Sequence, residues 1–385
     1  MNLQEEFKQR KADNLFRERQ VISSAQGALV KINDEEYINF SSNDYLGLAN
    51  NAELKSCMTE AINKYGIGAA SSQLLVGHLT PHSDLENKLA QFLNREAALV
   101  FPTGYQANLA IASALIEPDT IILQDKLNHA SLIDSALLSK GKLVRYRHND
   151  TAHLKNLLEK HKQHNCLVMT DGVFSMDGDH APLKEIAELC KTYNAFLIVD
   201  DAHGLGILGK TGAGLLEELE LDQKQVPLLI GTFGKSFGAS GAFVSGSRLH
   251  IEAFIQKART YIYTTALLPA IAATMVRAID KVISGDHLRK NIKDLIVTYK
   301  NETKDSGLKM SESNSHIQPL IIGETQKTLA ISKLLYEKKI LVPAIRPPTV
   351  AKNTSRLRIS ITAAHTKAQV EALAHNIKDA TSTNG

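Results

Sequence analysis

A lysine within a glycine-rich loop is the feature of this sequence whose residue types most directly suggest chemistry. Residues 228–241 read LLIGTFGKSFGASG, an apolar strand of three residues followed by a loop with one lysine (Lys235), four glycines and three hydroxyl residues. Lysine is normally a solvated surface residue, whereas glycines allow a ligand close to the backbone, and hydroxyl and amide groups bind anions. The loop therefore favours a lysine held beside an anion, an arrangement typical of a Schiff base to an aldehyde cofactor that carries a phosphate.

Two other interpretations use the same lysine differently. The Gly-Lys-Ser triplet resembles part of a P-loop, but that motif requires a glycine at position 229, where this sequence has leucine. An exposed lysine in a glycine-rich turn is the second interpretation, and the loop alone does not separate it from a cofactor site.

A second candidate is Asp200, which ends the apolar run Phe196–Val199. A carboxylate at the buried end of a strand needs a cationic partner, and a pyridinium nitrogen would supply one and remain protonated as an electron sink. A helix cap or a metal ligand is the alternative role. The following Gly-x-Gly-x-x-Gly at 204–209 resembles a dinucleotide-binding fingerprint, but the glycine-rich 210–214 that follows does not predict a helix. His161 and His164 have no cysteine or acidic partner placed with them, so no metal site is predicted.

The elements that must position these residues alternate between strand and helix. Short, continuously apolar strands separated by helical segments are typical of the α/β class, with a mainly parallel sheet covered by helices on both faces. The strands are predicted at 97–101, 120–123, 142–146, 166–170, 195–199 and 228–230. Ligands bind such sheets at the carboxyl ends of the strands. Polar residues cluster at those ends, at 103–105, 128–129, 171–175, 200–203 and 232–235.

The flanking regions predict further structure around this sheet. Residues 1 to about 22 show the spacing of one amphipathic helix, a hairpin follows at 28–40, and a helix is predicted at 83–93 with Asp84 and Glu86 in its first turn. A long helical region at about 270–303 leads to a smaller α+β portion with strands near 317–322 and 356–361. The expected domains are 1–45 (N-terminal helix and hairpin, packing with the small domain), 46–275 (large cofactor-binding domain) and 276–385 (small C-terminal domain).

Composition excludes several classes of partner. The 385 residues are 43% apolar and 22% charged, as in ordinary globular proteins. A net charge of +3, from 44 basic and 41 acidic residues, argues against nucleic acid and membrane surfaces. Three cysteines are too few for a disulfide framework, and no signal peptide or membrane-spanning run is present, so a cytoplasmic location is expected.

Asp200, His203 and Lys235 along one α/β unit are similar to the fold-type I enzymes that use pyridoxal 5'-phosphate (PLP). More closely, nearly the whole chain resembles the α-oxoamine synthase family, a group of such enzymes. Six motifs in matching order carry the resemblance: FSSNDYLGL (40–48), NHASL (128–132), GVFSMDGD (172–179), VDDAHG (199–204), TFGK (232–235) and AIRPPTV (344–350).

The resemblance implies a role for each matching residue around PLP. Lys235 would bind the cofactor as a Schiff base and later move the α-proton of the substrate. Asp200 would pair with the pyridine nitrogen, and His129 would stack on the ring. The remaining contacts implied are His203 and Ser175 around the phenolic oxygen, and Thr232 with the amides of Gly104 and Tyr105 around the phosphate.

The resemblance also implies substrates and partners. Arg358 matches the arginine that binds the amino acid carboxylate, a task that suits a bidentate guanidinium. Thr349 and Arg17 match acyl-substrate contacts, with Arg19 as the alternative to Arg17. The family's dimers imply a homodimer with active sites at the subunit interface.

Within the family, the sequence RPPT at 346–349 favours the biotin-pathway member, which condenses L-alanine with a pimeloyl thioester, over glycine C-acetyltransferase and aminolevulinate synthase. The sequence leaves open whether the acyl group is carried by coenzyme A or an acyl carrier protein. The loop at 68–78 (GAASSQLLVGH) departs from the family pattern, so the preferred acyl chain length stays open too. From a different class, a protein that keeps the fold and binds an acyl carrier without catalysis is the alternative.

Overall fold

The computed structural model describes residues 2–304, 310–311 and 313–382, which form two compact units. The small unit is made of Met1–Ala49, Ser175–Asp179 and His287–Gly385, and the large unit of Asn50–Phe174 and His180–Asp286. Within the described residues, each helix is too short or too polar to cross a membrane.

The strands are β1 (Leu29–Ile32), β2 (Glu35–Asn39), β3 (Ala97–Phe101), β4 (Ile121–Asp125), β5 (Lys142–Tyr146), β6 (Cys166–Asp171), β7 (Phe196–Asp200), β8 (Leu228–Thr232), β9 (Ala242–Gly246), β10 (Ile317–Gly323), β11 (Ile340–Leu341), β12 (Ala344–Ile345) and β13 (Ser355–Ser360).

The α-helices are α1 (Leu3–Ala12), α2 (Ala52–Tyr65), α3 (Thr80–Phe92), α4 (Gly104–Ala114), α5 (Ala130–Leu138), α6 (Thr151–Lys160), α7 (Leu183–Thr192), α8 (Leu215–Glu218), α9 (Arg248–Lys257), α10 (Arg259–Ile262), α11 (Pro269–Ile283), α12 (Asp286–Thr303), α13 (Thr325–Glu337) and α14 (Lys367–Ser382). A single π-helical turn spans Gln73–Gly77.

The large unit is built on a seven-stranded sheet with the order β3-β9-β8-β7-β6-β4-β5. Strand β9 is antiparallel to both of its neighbours, and the other pairings are parallel, so the predicted mainly parallel α/β sheet is confirmed. Every residue of β4 and β6 is buried, because strands of such a sheet are covered on both faces. The side chains of α4 and α9 complete the core on one face, where the rings of Phe101 and Phe254 meet edge to face.

The small unit contains two three-stranded sheets. One has the order β1-β2-β11, in which β11 pairs in parallel with β2 and so joins the predicted N-terminal hairpin to the C-terminal part of the chain. The other has the order β10-β13-β12, and all six residues of its central strand β13 are buried. The predicted small α+β portion is therefore present, with strands at the predicted positions.

The predicted helix over residues 1–22 is wrong beyond Ala12. Helix α1 buries no residue, so no packed face supports a longer helix. Asn14 has a φ of 56°, a left-handed conformation that interrupts a right-handed helix. The carbonyl of Phe16 then accepts a hydrogen bond from Nη2 of Arg346 at 2.5 Å instead of a helical one.

Helix α3 begins three residues earlier than predicted. Pro81 lies in its first turn, where the missing proline N–H has no helical partner to lose. Asp84 and Glu86 therefore lie in the second turn, and Glu86 is not the predicted partner of the helix dipole. Its Oε1 accepts the backbone N–H of Val100 at 3.1 Å, and burial raises the pKa of this carboxyl to about 7. The helical region predicted at 270–303 is two helices, α11 and α12, separated by Ser284 and Gly285.

Candidate active site

The candidate active site of the large unit lies at the carboxyl edge of its sheet. Strands β8, β7, β6 and β4 are adjacent and end at Thr232, Asp200, Asp171 and Asp125, respectively. The register pairs Asp171 directly with Asp200. Two carboxylates therefore lie side by side at the sheet edge where ligands of α/β proteins bind.

Asp200 is buried and held by neutral donors. Its Oδ2 accepts Nδ2 of Asn108 at 2.7 Å, and its Oδ1 accepts the backbone N–H of Ala202 at 3.0 Å. A buried carboxylate held by neutral amides favours a cation beside it. This environment fits a protonated ring nitrogen.

His129 forms the N-cap of α5 and is held from both sides. Its backbone N–H donates to Oδ2 of Asp171 at 2.8 Å. Its Nδ1 lies 2.7 Å from the hydroxyl of Ser131 and accepts the Ser131 backbone N–H at 3.3 Å. Burial lowers the pKa of His129, although the charge of Asp200 opposes this shift. The imidazole is therefore neutral at pH 7, with Nδ1 as the acceptor, which suits a ring that stacks rather than one that carries charge.

Asn108 links these two residues and was not predicted from the sequence. Its Nδ2 donates to Oδ2 of Asp200 and also lies 2.8 Å from the hydroxyl of Ser131, which contacts His129. Asn108 follows Gly104 by four residues in α4, so both lie on the same face of that helix. The four-residue spacing between Gly104, a predicted phosphate contact, and Asn108 could have identified Asn108 from the sequence.

Lys235 lies three residues after the end of β8 and is half-buried. Its positive charge acts on three groups of the site. Burial raises the pKa of Asp171 well above its usual range, the charge of Asp200 raises it further, and Lys235 opposes both effects. Burial likewise raises the pKa of Asp201 to about 8, again against the effect of Lys235. In His129, Lys235 adds to the lowering of the pKa that burial causes.

The residues predicted to bind phosphate come together. A Cβ placed on Gly104 would lie 3.8 Å from Oγ1 of Thr232, so the start of α4 faces the end of β8. The first amides of a helix, here those of Gly104 and Tyr105, have no intrahelical acceptor and are available to an anion. Oγ1 of Thr103 caps the helix by accepting the backbone N–H of Gln106 at 3.2 Å. The Tyr105 hydroxyl binds the carboxylate of Asp134.

These groups fit PLP in type and position. The large unit places a carboxylate for a ring nitrogen, a neutral imidazole, a lysine and a helix start beside a hydroxyl at one edge of one sheet. His203 is buried in the turn that follows β7. Its role around the phenolic oxygen, and that of Ser175, stay predictions.

Arg358 is a buried cation of the small unit. Its Nε donates to the carbonyl of Ser175 at 2.6 Å, and its Nη atoms donate to Asn43 Oδ1 at 3.2 Å, Ser360 Oγ at 2.9 Å and Tyr45 Oη at 3.2 Å. All four acceptors are neutral. Arg356, two residues earlier on β13, instead forms an ion pair with Asp177. Among the described residues no Asp or Glu pairs with Arg358, which leaves its charge for a carboxylate ligand.

The predicted acyl-contact residues Arg17 and Thr349 are hydrogen-bonded to each other. Nη2 of Arg17 donates to Oγ1 of Thr349 at 3.2 Å, and both side chains are exposed. Arg346 is close enough that the Arg17 charge helps to lower its pKa, although burial is the larger cause. The structure thus joins Arg17, rather than the alternative Arg19, to the RPPT segment.

The unusual loop at 68–78 exposes apolar side chains. It contains the π-helical turn, in which Leu75 is 78% and Val76 is 79% exposed. Gln73 points inward and donates to the carbonyl of Val100 at 3.0 Å. A Cβ on Gly77 would overlap the carbonyl oxygen of Ser71, so the turn requires glycine there.

Comparison with known proteins identifies the family. The sequence model of the aminotransferase class I and II family matches residues 35–377. The 8-amino-7-oxononanoate synthase of Thioalkalivibrio sulfidiphilus is 46% identical over 374 residues, which are 97% of this chain and 95% of the relative.

Solved structures agree with this relationship. A serine palmitoyltransferase variant from S. paucimobilis with bound PLP and myriocin is 29% identical, with a TM-score of 0.94, 99% of this chain covered and 97% of that chain covered. An 8-amino-7-oxononanoate synthase from Francisella tularensis is 29% identical, with a TM-score of 0.80 over 90% of this chain and 98% of that chain. The protein therefore belongs to the aminotransferase class I and II family and, within it, to the PLP-dependent 8-amino-7-oxononanoate synthases.

Proposed function

We propose that this protein catalyses the decarboxylative condensation of L-alanine with a pimeloyl thioester to give 8-amino-7-oxononanoate for biotin synthesis. The observation that carries the proposal is the arrangement of Asp200, His129 and Lys235 at the carboxyl edge of the large sheet. The relatives that are 44–46% identical to this chain and are named for this product supply the choice of substrates.

PLP, when bound, supplies an electron sink for the negative charge that develops on the α-carbon of the amino acid. The carboxylate of Asp200 keeps the ring nitrogen protonated, and Asn108 holds that carboxylate in place through Nδ2. The neutral His129 would stack on the ring: Ser131 contacts its Nδ1, and Asp171 accepts its backbone N–H. The amides of Gly104 and Tyr105, with the hydroxyl of Thr232, would hold the phosphate.

Lys235 has two tasks in this proposal. With PLP present, its Nζ would hold the cofactor through the aldehyde, and its free amine would take the α-proton of the amino acid as a general base. The Lys235 amine must lose its own proton for both tasks. A carboxylate nearby, such as that of Asp200, would oppose this loss by stabilising the protonated amine. The buried carboxyls of Asp171 and Asp201 retain protons more readily than usual. This limits the negative charge that would otherwise hold Lys235 in its protonated form.

The substrates are bound by the residues of the small unit. Arg358 binds the alanine carboxylate through a guanidinium that the protein leaves without an acidic partner. Arg17 and Thr349 bind the acyl donor, whose distal carboxylate matches the positive charges of Arg17 and Arg346.

A product assay tests the proposal. Glycine, L-alanine and L-serine are each combined with acetyl, succinyl and pimeloyl thioesters, the last on both coenzyme A and acyl carrier protein, and the products are identified by mass. L-Alanine with a pimeloyl donor is expected to be the fastest pair, and the Lys235→Ala protein gives the background. If glycine with acetyl thioester is fastest, the protein is a glycine C-acetyltransferase; if no pair reacts, it binds acyl carriers without catalysis.

The protein also acts, in this proposal, as a homodimer whose active sites are completed at the subunit interface. The exposed Leu75 and Val76 support this, because apolar side chains presented together on a loop favour an interface. Replacing both with aspartate is expected to give a monomer by light scattering and to lower turnover. A double variant that stays dimeric would place the interface elsewhere.

A further inference from the structure

Asp201, next to the predicted ring-nitrogen partner, is a fully buried acidic group of the large unit that the proposed mechanism does not use as a ligand. Its Oδ2 accepts the backbone N–H of Leu215, the first residue of α8, at 2.6 Å, and Oδ1 has no hydrogen-bond partner among the described residues.

Three glycines from three separate segments close around this carboxyl group. A Cβ on Gly172, just after β6, would lie 2.7 Å from Oδ1 of Asp201. Cβ atoms on Gly204 and Gly214 would lie closer still to its oxygens. At Gly172 and Gly204 the three nearest atoms all belong to the Asp201 side chain, so these positions are glycine because Asp201 occupies the space.

The backbone of Asp201 is fixed at the same point. Its N–H donates to the carbonyl of Ile230 in β8 at 2.9 Å, and its own carbonyl accepts the N–H groups of Gly204 and Leu205 at 3.1 Å. Asp201 directly follows Asp200 and begins the turn that contains His203. Its backbone connects this turn to the end of β8, and its side chain packs against Gly172 at the end of β6.

We propose that Asp201 is a positioning residue: its enclosed carboxyl group fills the space between the end of β6, the turn after β7 and the start of α8, and so holds Asp200 and His203 in place for the cofactor. Burial raises the pKa of Asp201 to about 8, so the group that fills this space at neutral pH is mainly the uncharged acid. The inference rests on the proposed use of PLP but not on which amino acid or thioester reacts.

The test measures PLP affinity and the pH dependence of the bound cofactor's absorbance, without any substrate, so that its result is separate from the product assay. Asp201→Asn keeps an uncharged group of the same shape and an acceptor for Leu215. It is expected to bind PLP within about threefold of the wild-type affinity and to keep the wild-type absorbance profile. Asp201→Ala leaves a buried amide without an acceptor and should weaken PLP binding about tenfold or more. Its absorbance profile against pH should also shift, because Asp200 is no longer held.

A double-mutant cycle separates this role from simple loss of stability. Gly204→Ala, which brings a methyl group against Asp201, should weaken PLP binding in the wild type but have no further effect in Asp201→Ala, because the two changes act on one space. Leu154→Ala, in the buried face of α6, should lower the melting temperature without changing PLP affinity. The proposal fails if the losses of PLP affinity caused by Gly204→Ala and Asp201→Ala multiply in the double variant. It also fails if Asp201→Asn binds PLP as weakly as Asp201→Ala, or if the PLP affinity of every variant falls only in proportion to its stability.

Discussion

At the residue scale, two arginines of one strand differ in the charge of their partners. Arg356 and Arg358 are both buried in β13, yet Arg356 is paired with Asp177, whereas Arg358 contacts neutral oxygens from Asn43, Tyr45 and Ser175. Burial of Tyr45 raises the pKa of its phenol, so this contact does not supply a negative charge at neutral pH. The positive charge of Arg358 is stabilised by dipoles alone until a carboxylate binds.

Arg358→Gln is therefore expected to weaken L-alanine binding strongly. Removing one partner of a buried ion pair costs about 3–5 kcal/mol, which corresponds to a dissociation constant raised at least a hundredfold. The constant is measured by titrating L-alanine into the holoenzyme and following the cofactor's absorbance, and the KM for the acyl donor should change little.

Arg356→Gln is the matched control, because it removes a guanidinium from the same strand. It should lower stability and leave the L-alanine dissociation constant within about threefold, since its partner is Asp177 rather than substrate. An unchanged L-alanine constant in Arg358→Gln would make Arg358 structural and Arg346 the better candidate.

Lys235→Ala should abolish turnover and covalent attachment of PLP while leaving non-covalent binding through the phosphate contacts. The attachment is measured as cofactor that remains on the denatured protein after borohydride reduction. Lys210→Ala is the control, because Lys210 also lies between glycines but is exposed. Cofactor retained on the Lys235→Ala protein after reduction would show that another lysine is the attachment site.

At the element scale, helix α4 contributes groups to the candidate site from its first two turns. Its first turn presents the amides of Gly104 and Tyr105, and its second turn presents Asn108, which holds Asp200. The orientation of the helix start depends on the cap that Thr103 provides. Loss of that cap should therefore affect both stability and cofactor binding.

Thr103→Ala is expected to cost about 1 kcal/mol of stability, as usual for a lost N-cap, and to weaken PLP binding several-fold. Asn51→Ala removes the comparable cap of α2, whose side chain accepts the N–H groups of Glu53 and Leu54. That control should cost similar stability with no change in PLP affinity. Equal PLP affinities for the two variants would argue against a phosphate site at the start of α4.

The sequence predicts six strands of the large sheet, because most of them are buried and contain a short apolar run. It does not predict β9, whose sequence AFVSG has only three apolar residues before a serine and a glycine. The sequence also predicts the polar strand ends, since parallel strands bring them to one edge. The end of α1 was not predicted, because only the absence of a packed face distinguishes Leu15 and Phe16 from a continued helix. The role of Asn108 was not predicted because its partners lie 23 and 92 residues away along the chain.

At the scale of the whole molecule, two sets of buried groups make stability depend on pH in opposite directions. Burial raises the pKa of Glu86 to about 7 and of Asp201 to about 8, so the folded protein holds protons there that the unfolded chain releases near pH 4. Their stabilising effect is lost as the pH rises toward the folded pKa values. Burial instead lowers the pKa of His82, and that of His365 to about 4, so these two groups add stability as the pH rises to about 6.5.

Below about pH 6.5, the carboxyls and the histidines change the free energy of unfolding in opposite directions as the pH rises. Above pH 6.5 the histidines no longer contribute to the change, so the carboxyls should make stability fall between pH 6.5 and 8. Each proton involved changes the free energy of unfolding by about 1.4 kcal/mol per pH unit. The fall is measured as the denaturant midpoint of the holoenzyme at four pH values across this range with PLP in excess. Glu86→Gln and Asp201→Asn together should make the fall shallower, because neither replacement titrates and only the contribution of Asp171 remains. The exposed Glu159→Gln should leave the slope unchanged. A midpoint that rises across this range, or a double variant with the wild-type slope, would show that these carboxyls are already ionised in the folded protein.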